Sequence, residues 1–296
     1  MTPTYRSGVQ LALAAYIMWG FAPLYFLLVE FATPTEIIAH RIFWSMLMLL
    51  GLLRARSMLR GLVQLTWRQY GGLFCSGLLL GINWWTFIWA LQNERVLETS
   101  VGYYINPLIS VALGVVFLGE RLRPIQWVAV SLAGLGVLNE ILNVGVVPYV
   151  ALVLAVTFGL YGLVRKRLAL DSIQGLALES MLLLPLALIA LGQFALSGTL
   201  QTFDHGVSGL IFLALTGVVT SAPLLCFTAA ANRLPLVVVG MIQYLAPTIT
   251  MLLAIFFYGE PFGATKAITF GFVWLGIVVF SIDAWSRQLR GRDVFG

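Results

Sequence analysis

Charge is scarce in this sequence: 10% of the 296 residues are charged, against 60% that are apolar. A soluble globular domain carries about 25% charged residues, so that class is excluded. Cysteine occurs only twice, at Cys75 and Cys226, both inside apolar runs. Neither a disulfide framework nor metal-ligand spacing is present, and both read as reduced packing residues. Histidine also occurs only twice, at His40 and His205. With no HExxH pattern there is no metal site to expect, and no cofactor is called for. A Walker A glycine–lysine loop is missing, which argues against ATP hydrolysis in this chain. Paired acids or a Ser/His pair at helix ends, the usual marks of an integral membrane enzyme, are missing too.

Apolar runs near 20 residues recur from end to end, and mean hydropathy is +0.96. Each run can cross a hydrocarbon core of about 30 Å as a helix. They cover approximately Val9–Val29, Thr35–Leu53, Tyr70–Asn93, Leu97–Leu118, Pro124–Leu142, Val147–Val164, Ser172–Gly192, Val207–Phe227, Leu236–Tyr258 and Ala264–Trp285. A membrane β-barrel would show alternating segments of about 10 residues instead. The first run follows a short head with Arg6, as in a signal peptide. It is longer than a typical apolar signal core, holds Trp19, Gly20 and Pro23, and lacks a clear cleavage site, so it reads as a retained helix. The connections, of which Arg54–Arg68 and Ser197–Gly206 are the longest, are too short for a soluble domain.

The pI near 9.4 raises the question of nucleic acid. The basic residues, however, sit in short clusters between apolar runs, where they read as topology determinants, with the bilayer and not nucleic acid as partner. With the N-terminus inside, 14 of 17 basic residues fall on the inner side, Arg95 and Lys266 fall outside, and Arg41 lies within a helix. The expectation is a multi-pass protein of the bacterial inner membrane with both termini cytoplasmic, acting as a monomer or homodimer.

An internal repeat is visible. YINPLISVALGVVFLGE, from Tyr104, and YLAPTITMLLAIFFYGE, from Tyr244, agree at seven of 17 positions at a constant offset of 140. Tyr104, Pro107, Ile109, Leu113, Phe117, Gly119 and Glu120 recur as Tyr244, Pro247, Ile249, Leu253, Phe257, Gly259 and Glu260. A weaker echo pairs Trp19-Gly20 with Phe158-Gly159. The fold expected is all-α, with ten transmembrane helices in two five-helix repeats, residues 1–143 and 144–296. Five is odd, so the repeats are inverted, related by an axis in the membrane plane. Pro107 and Pro247 lie near the midplane, where each frees the carbonyl four residues back, of Tyr103 and Gln243. Either the two kinks shape a substrate site or they only bend helices for packing.

The proline–glycine–glutamate pattern closing the fourth and ninth runs resembles the ten-helix EamA branch of the drug/metabolite transporter superfamily. EIIAHRIFWS, NWWTFIWALQ, GYYINPLISVALGVVFLGERLRPIQW, YGLVRKRLAL and PLLCFTAAANRLPL are similar to the RarD group within it, usually named for chloramphenicol sensitivity. The resemblance spans essentially the whole chain. It implies the inverted-repeat transporter fold and a cargo among amino acids, metabolites and drugs, without naming one.

Candidate lining residues are Asn83, Trp84 and Phe87 on the third run, and Tyr103, Tyr104 and Asn106 on the fourth. Gln243 and Tyr244 stand at the related place on the ninth, with Trp19 and Tyr161 at similar depth on the first and sixth. Aromatic walls with a few amides suit a partly apolar, ring-bearing solute. The same residue types also anchor helices at interfaces and hydrogen-bond between helices. Glu179 lies about 11 Å into the seventh helix. An acid at that depth costs roughly 2.5–3.5 kcal/mol on insertion scales. It serves either proton coupling or a structural pair with a buried donor. In EIIAHR, Glu36, His40 and Trp44 share an arc of about 80°, with Arg41 further round. Arg41 either snorkels or pairs with Glu36, or Glu36, His40 and Arg41 form an outer vestibule for an anionic or carboxylate-bearing solute; Arg41 and Glu179, at comparable positions of related helices, offer a charge-coupled pair as a further alternative. The function these features suggest is a secondary active or facilitative transporter, an exporter of a small organic solute such as an amino acid, metabolite or amphipathic drug, working by alternating access. The alternative is an integral membrane enzyme, or a receptor or assembly protein without transport.

Overall fold

A computed structural model describes residues 3–93, 95–144, 149–259 and 262–289. Among them every regular element is helical. The first span is α1 (Pro3–Phe26), extended by a short 3-10 turn, Leu27–Val29. Then follow α2 (Pro34–Ala55), a short α3 (Leu59–Val63), α4 (Trp67–Gln92), α5 (Val96–Leu118) and α6 (Pro124–Val144). The second half holds α7 (Tyr149–Leu168), α8 (Ser172–Ser197), α9 (Gly206–Ala231), α10 (Leu236–Gln243), α11 (Leu245–Phe256) and α12 (Ala264–Leu289). Among the described residues ten segments are long and apolar enough to span a bilayer, with α10 and α11 forming one of them together.

Local chemistry sets the helix ends. Thr33 caps α2 by accepting from the Glu36 amide at 3.3 Å, with Pro34 in the first turn. Thr66 and Gln69 form a capping box on α4. Asp171 accepts from the Ile173 and Gln174 amides at the start of α8. Gly119 ends α5 at φ 67°, and its repeat partner Gly259 takes φ 69° beyond α11. A side chain at such a φ would be strained, which accounts for glycine at both positions. Glu120, the next residue of the repeat, reaches across to α10. Its carboxylate accepts from the Leu236 and Val237 amides at 2.6 and 2.8 Å, where the helix dipole favours negative charge. Glu260, its counterpart by sequence, lies outside the described residues.

The offset of 140 reappears as contacts that are returned. A Cβ on Gly136 of α6 would stand 2.7 Å from the Thr269 carbonyl of α12, and one on Gly276 of α12 would stand 2.6 Å from the Ala129 carbonyl of α6. Both glycine and carbonyl are related by 140. Gly20 lies under Ile249 and Gly159 under Ile109. Gly77 lets α4 approach Leu182 of α8, as Gly217 lets α9 approach Trp44 of α2. The Tyr244 hydroxyl donates to the Tyr104 carbonyl at 3.4 Å. A leucine at 276 has no room beside the Ala129 backbone. The expected outcome of Gly276→Leu is a loss of about 1–3 kcal/mol of stability, read as a lower melting temperature in detergent.

The two proline-bearing spans differ. Pro107 sits inside a continuous α5, whereas the ninth span is interrupted at Tyr244, between α10 and α11. The break falls one residue past the carbonyl that Pro247 was expected to free. The Tyr244 carbonyl accepts from the Thr248 amide at 3.2 Å and hydroxyl at 2.8 Å, so it is not orphaned. Large apolar side chains such as Val116, Leu186 and Ile189 stand exposed around the bundle, as a lipid-facing surface requires. Cys75 is exposed as well, not packed as expected.

Candidate functional site

Four helices, α2, α4, α8 and α9, enclose a small pocket. It is lined by leucines and tryptophan (Leu80, Trp84, Leu176, Leu183, Leu224) alternating with hydroxyls (Ser45, Ser180, Thr220, Ser221). The Ser221 hydroxyl is fully buried and has no hydrogen-bond partner. The wall offers apolar surface together with hydroxyls that can each donate or accept, around a cavity with room for about one water in this closed state. The helices can approach because Gly77 and Gly217 lack side chains, and the Ser45 hydroxyl donates to the Gly217 carbonyl across the α2–α9 seam at 3.1 Å.

Arg41 stands at the α2 N-terminal end of this pocket. Its Nε donates to the Thr220 hydroxyl at 2.7 Å. The guanidinium lies 5.1 Å from the Trp84 ring centroid and 5.4 Å from that of Phe26. Two aromatic faces hold the cation in a cation–π sandwich, and only one edge of its fork is committed to a hydrogen bond. Tyr103 is 51% exposed and Arg41 is half-buried.

Glu36 is not the partner of Arg41. Its carboxylate accepts from the Thr202 hydroxyl at 2.6 Å and the Gln201 amide at 3.1 Å, both from the α8–α9 connection. His40 Nε2 donates to Thr202 at 2.8 Å, and Trp44 Nε1 donates to His40 Nδ1 at 3.2 Å. Because the Thr202 proton goes to Glu36, the hydroxyl must accept from His40. The ring is then the neutral Nε2–H tautomer, assigned by this donor sequence. Three expected neighbours, Glu36, His40 and Trp44, therefore close one end of the bundle, and Arg41 alone turns to the pocket.

At the other end lies Glu179, 1% exposed. The Ser76 hydroxyl of α4 donates to Oε1 at 2.5 Å, and the Tyr161 hydroxyl of α7 donates to Oε2 at 3.3 Å. Arg165 Nη1 is 3.5 Å from Oε1. Arg165 is itself 2% exposed, and its Nε and both Nη atoms make no hydrogen bond. Gly175 opens the space: a Cβ there would stand 1.6 Å from Nη1. Ser76, Leu80 and Trp84 occupy i, i+4 and i+8 on α4, so one helix face links the Glu179 and Arg41 levels, about 12 Å apart by helical rise.

The remaining candidates divide. Trp19 and Tyr161 meet in one aromatic cluster with Tyr16, Phe158 and Phe227, in which Tyr161 stacks on Phe227 at 6.1 Å. Asn83 is committed as interhelical glue, donating to the Leu154 carbonyl and the Thr157 hydroxyl at 2.9 Å each. Phe87 packs with Ala90, Val150 and Leu154. Tyr104 stands edge-on to Phe270, and Gln243 accepts from the Tyr16 hydroxyl at 3.4 Å. Asn106 is buried with its Oδ1 unpartnered. Arg165, Ser76, Thr220 and Phe26 were not foreseen. In the sequence Arg165 reads with Lys166 and Arg167 as a topology charge, and only its spacing of four from Tyr161, which puts both on one helix face, points inward.

A ten-span helical bundle with a largely apolar, hydroxyl-dotted pocket between its two halves is the general plan of a membrane transporter. The EamA-like transporter family matches residues 6–139 and 147–282 in turn. The chain belongs to that family, and within it is RarD-like. It is 46% identical to Protein RarD of Escherichia coli (strain K12), covering 96% of this chain and 97% of that one. It is 46% identical to an uncharacterized transporter of Pseudomonas aeruginosa, covering 98% and 97%. It is 32% identical to the chloramphenicol-sensitive protein RarD of the same organism, covering 96% of each chain. A protein crystal structure with 18% identity overlays with a TM-score of 0.71 over 92% of this chain and 96% of that one, which shows the fold.

Proposed function

We propose that this protein is a secondary transporter that exports a small amphipathic organic solute carrying a carboxylate beside an apolar or ring-bearing body. The observation that carries the reading is Arg41, held between Trp84 and Phe26 with part of its fork uncommitted, at the mouth of a leucine- and hydroxyl-lined pocket. Arg41 receives the carboxylate, Trp84 and Tyr103 flank the body, and Ser180 and Ser221 supply adaptable polar contacts. The halves are inverted repeats, and rocking of α2 and α4 against α8 and α9 opens the pocket to each side in turn. The reciprocal contacts at the offset of 140 support that relation. Glu179 is the proton-coupling group of this scheme.

The orientation proposed has both termini cytoplasmic in the bacterial inner membrane, from the Lys/Arg bias. A C-terminal alkaline phosphatase fusion is expected to be inactive and a C-terminal green fluorescent fusion bright; the reverse outcome overturns the orientation. The function itself is tested with pure protein in proteoliposomes. Uptake of radiolabelled aromatic carboxylates, amino acids and phenicol drugs is compared with that of empty vesicles. Flux of an aromatic carboxylate supports the reading, and flux confined to cations or neutral compounds rejects the solute class.

A further inference from the structure

The Arg165 guanidinium is a buried cation with an incomplete set of partners. It offers five N–H donors. Its Nε, Nη1 and Nη2 are all without a hydrogen bond, and its closest anionic contact is Glu179 Oε1 at 3.5 Å. A guanidinium whose fork matches a carboxylate would normally be bidentate at shorter range. Glu179 is drawn off instead, because Ser76 and Tyr161 hold its two oxygens from the other side. The space for Arg165 is built into α8, where Gly175 stands one helical turn before Glu179. This centre also borders the pocket. Ser180 and Leu176 line it beside Glu179, and Leu80 lines it one turn from Ser76.

We infer that Arg165 is a second carboxylate subsite, occupied in this state by Glu179, and that an anionic solute moving down the pocket displaces Glu179 from it. The inference rests on the carboxylate-bearing solute class proposed above. Burying a second negative charge beside Glu179 is costly in this interior, so the exchange keeps the charge of the centre constant. The solute carboxylate pairs with Arg165, a proton from solvent forms an O–H bond on a Glu179 oxygen, and no other bond forms or breaks. Protonated Glu179 can still hydrogen-bond to the Ser76 and Tyr161 hydroxyls, which accept as readily as they donate. The groups facing Glu179 are Ser76 from α4 and Tyr161 and Arg165 from α7; from α2 and α9 no ionised group of the described residues does so. Glu36, His40 and Arg41 lie at the far end of the pocket. Binding of an anion thus takes up a proton, whereas binding at Arg41 alone does not.

The probe is phenylacetate, with the neutral phenylacetamide as its control. Binding to the full-length protein in detergent is followed by calorimetry in buffers of differing ionisation enthalpy between pH 6 and 8. The expected result is uptake of about one proton per phenylacetate, with affinity falling about tenfold per unit rise in pH. Phenylacetamide binding takes up none. Glu179→Gln should bind phenylacetate without proton uptake and without pH dependence. Arg165→Lys keeps the charge but loses the fork, and should weaken phenylacetate far more than phenylacetamide. Phenylacetate binding in the wild type without proton uptake overturns the inference and leaves the solute class standing. Failure of phenylacetate to bind while phenylacetamide or a cation binds overturns the solute class, and the inference with it.

Discussion

Replacing Arg41 by lysine should reduce carboxylate transport by roughly tenfold while leaving the protein folded, because charge survives and geometry does not. Lysine would lose the Nε bond to Thr220 and the flat face that fits between Trp84 and Phe26. Its ammonium is a point charge that a carboxylate can meet from only one oxygen at a time. Arg41→Met should abolish transport of anions and spare any neutral congener. The structure also disposes of one simple explanation for this arginine. Glu36 is saturated by Thr202 and Gln201, so Glu36→Gln should disturb the α2 end of the bundle without touching Arg41. If Arg41→Met transports normally, the residue is only packing and the solute class is wrong. Proteoliposome flux, with size-exclusion profiles checking the fold, decides between these results.

The largest stability effects should come from breaking the pair at the opposite end. Glu179 and Arg165 are both removed from solvent, so deleting either leaves a bare charge behind. Arg165→Met strands the Glu179 carboxylate and should cost about 3–5 kcal/mol at neutral pH. Glu179→Leu strands Arg165, which already lacks hydrogen bonds, and should cost a similar amount. The double substitution, Glu179→Leu with Arg165→Met, removes both charges and should recover most of that loss. The sign of this coupling is the test: unfolding in detergent of wild type, both singles and the double gives a cycle. Additive losses would mean that the two residues stabilise the fold independently, against the 3.5 Å contact.

The span count and the repeat were legible in the sequence because length, hydropathy and a fixed offset depend on nothing but order along the chain. The family followed from contiguous motifs. The reciprocal glycine contacts were hidden only in part: Leu135-Gly136 and Leu275-Gly276 repeat at the same offset, yet two matches among unlike neighbours carry little weight without the carbonyls they face. The site was read less fully. Arg41 was found because a charge inside an apolar run is costly wherever it points. Its partners were not, since Thr220 and Phe26 are ordinary residues of membrane helices whose role depends on which helix lies alongside. The burial of Arg165 is hidden for the opposite reason. It lies in a basic run at a helix end, where topology explains a charge well enough that burial goes unsuspected.

Glycine against carbonyl at both Gly136 and Gly276 has a mechanical meaning. Side chains in contact can exchange rotamers and let one helix slip past another, but two backbones touching directly have nothing to rotate. The α6–α12 pair is therefore a fixed post. Gly217 stands as close to the Trp44 and Ser45 backbone, so α2 and α9 touch in the same way, and rocking of α2 and α4 against α8 and α9 hinges on that contact and opens at the α4–α8 seam, where the Leu182 side chain meets Gly77. Backbone contact thus pins α6 to α12 and α2 to α9, and leaves one side of the pocket closed by side chains alone.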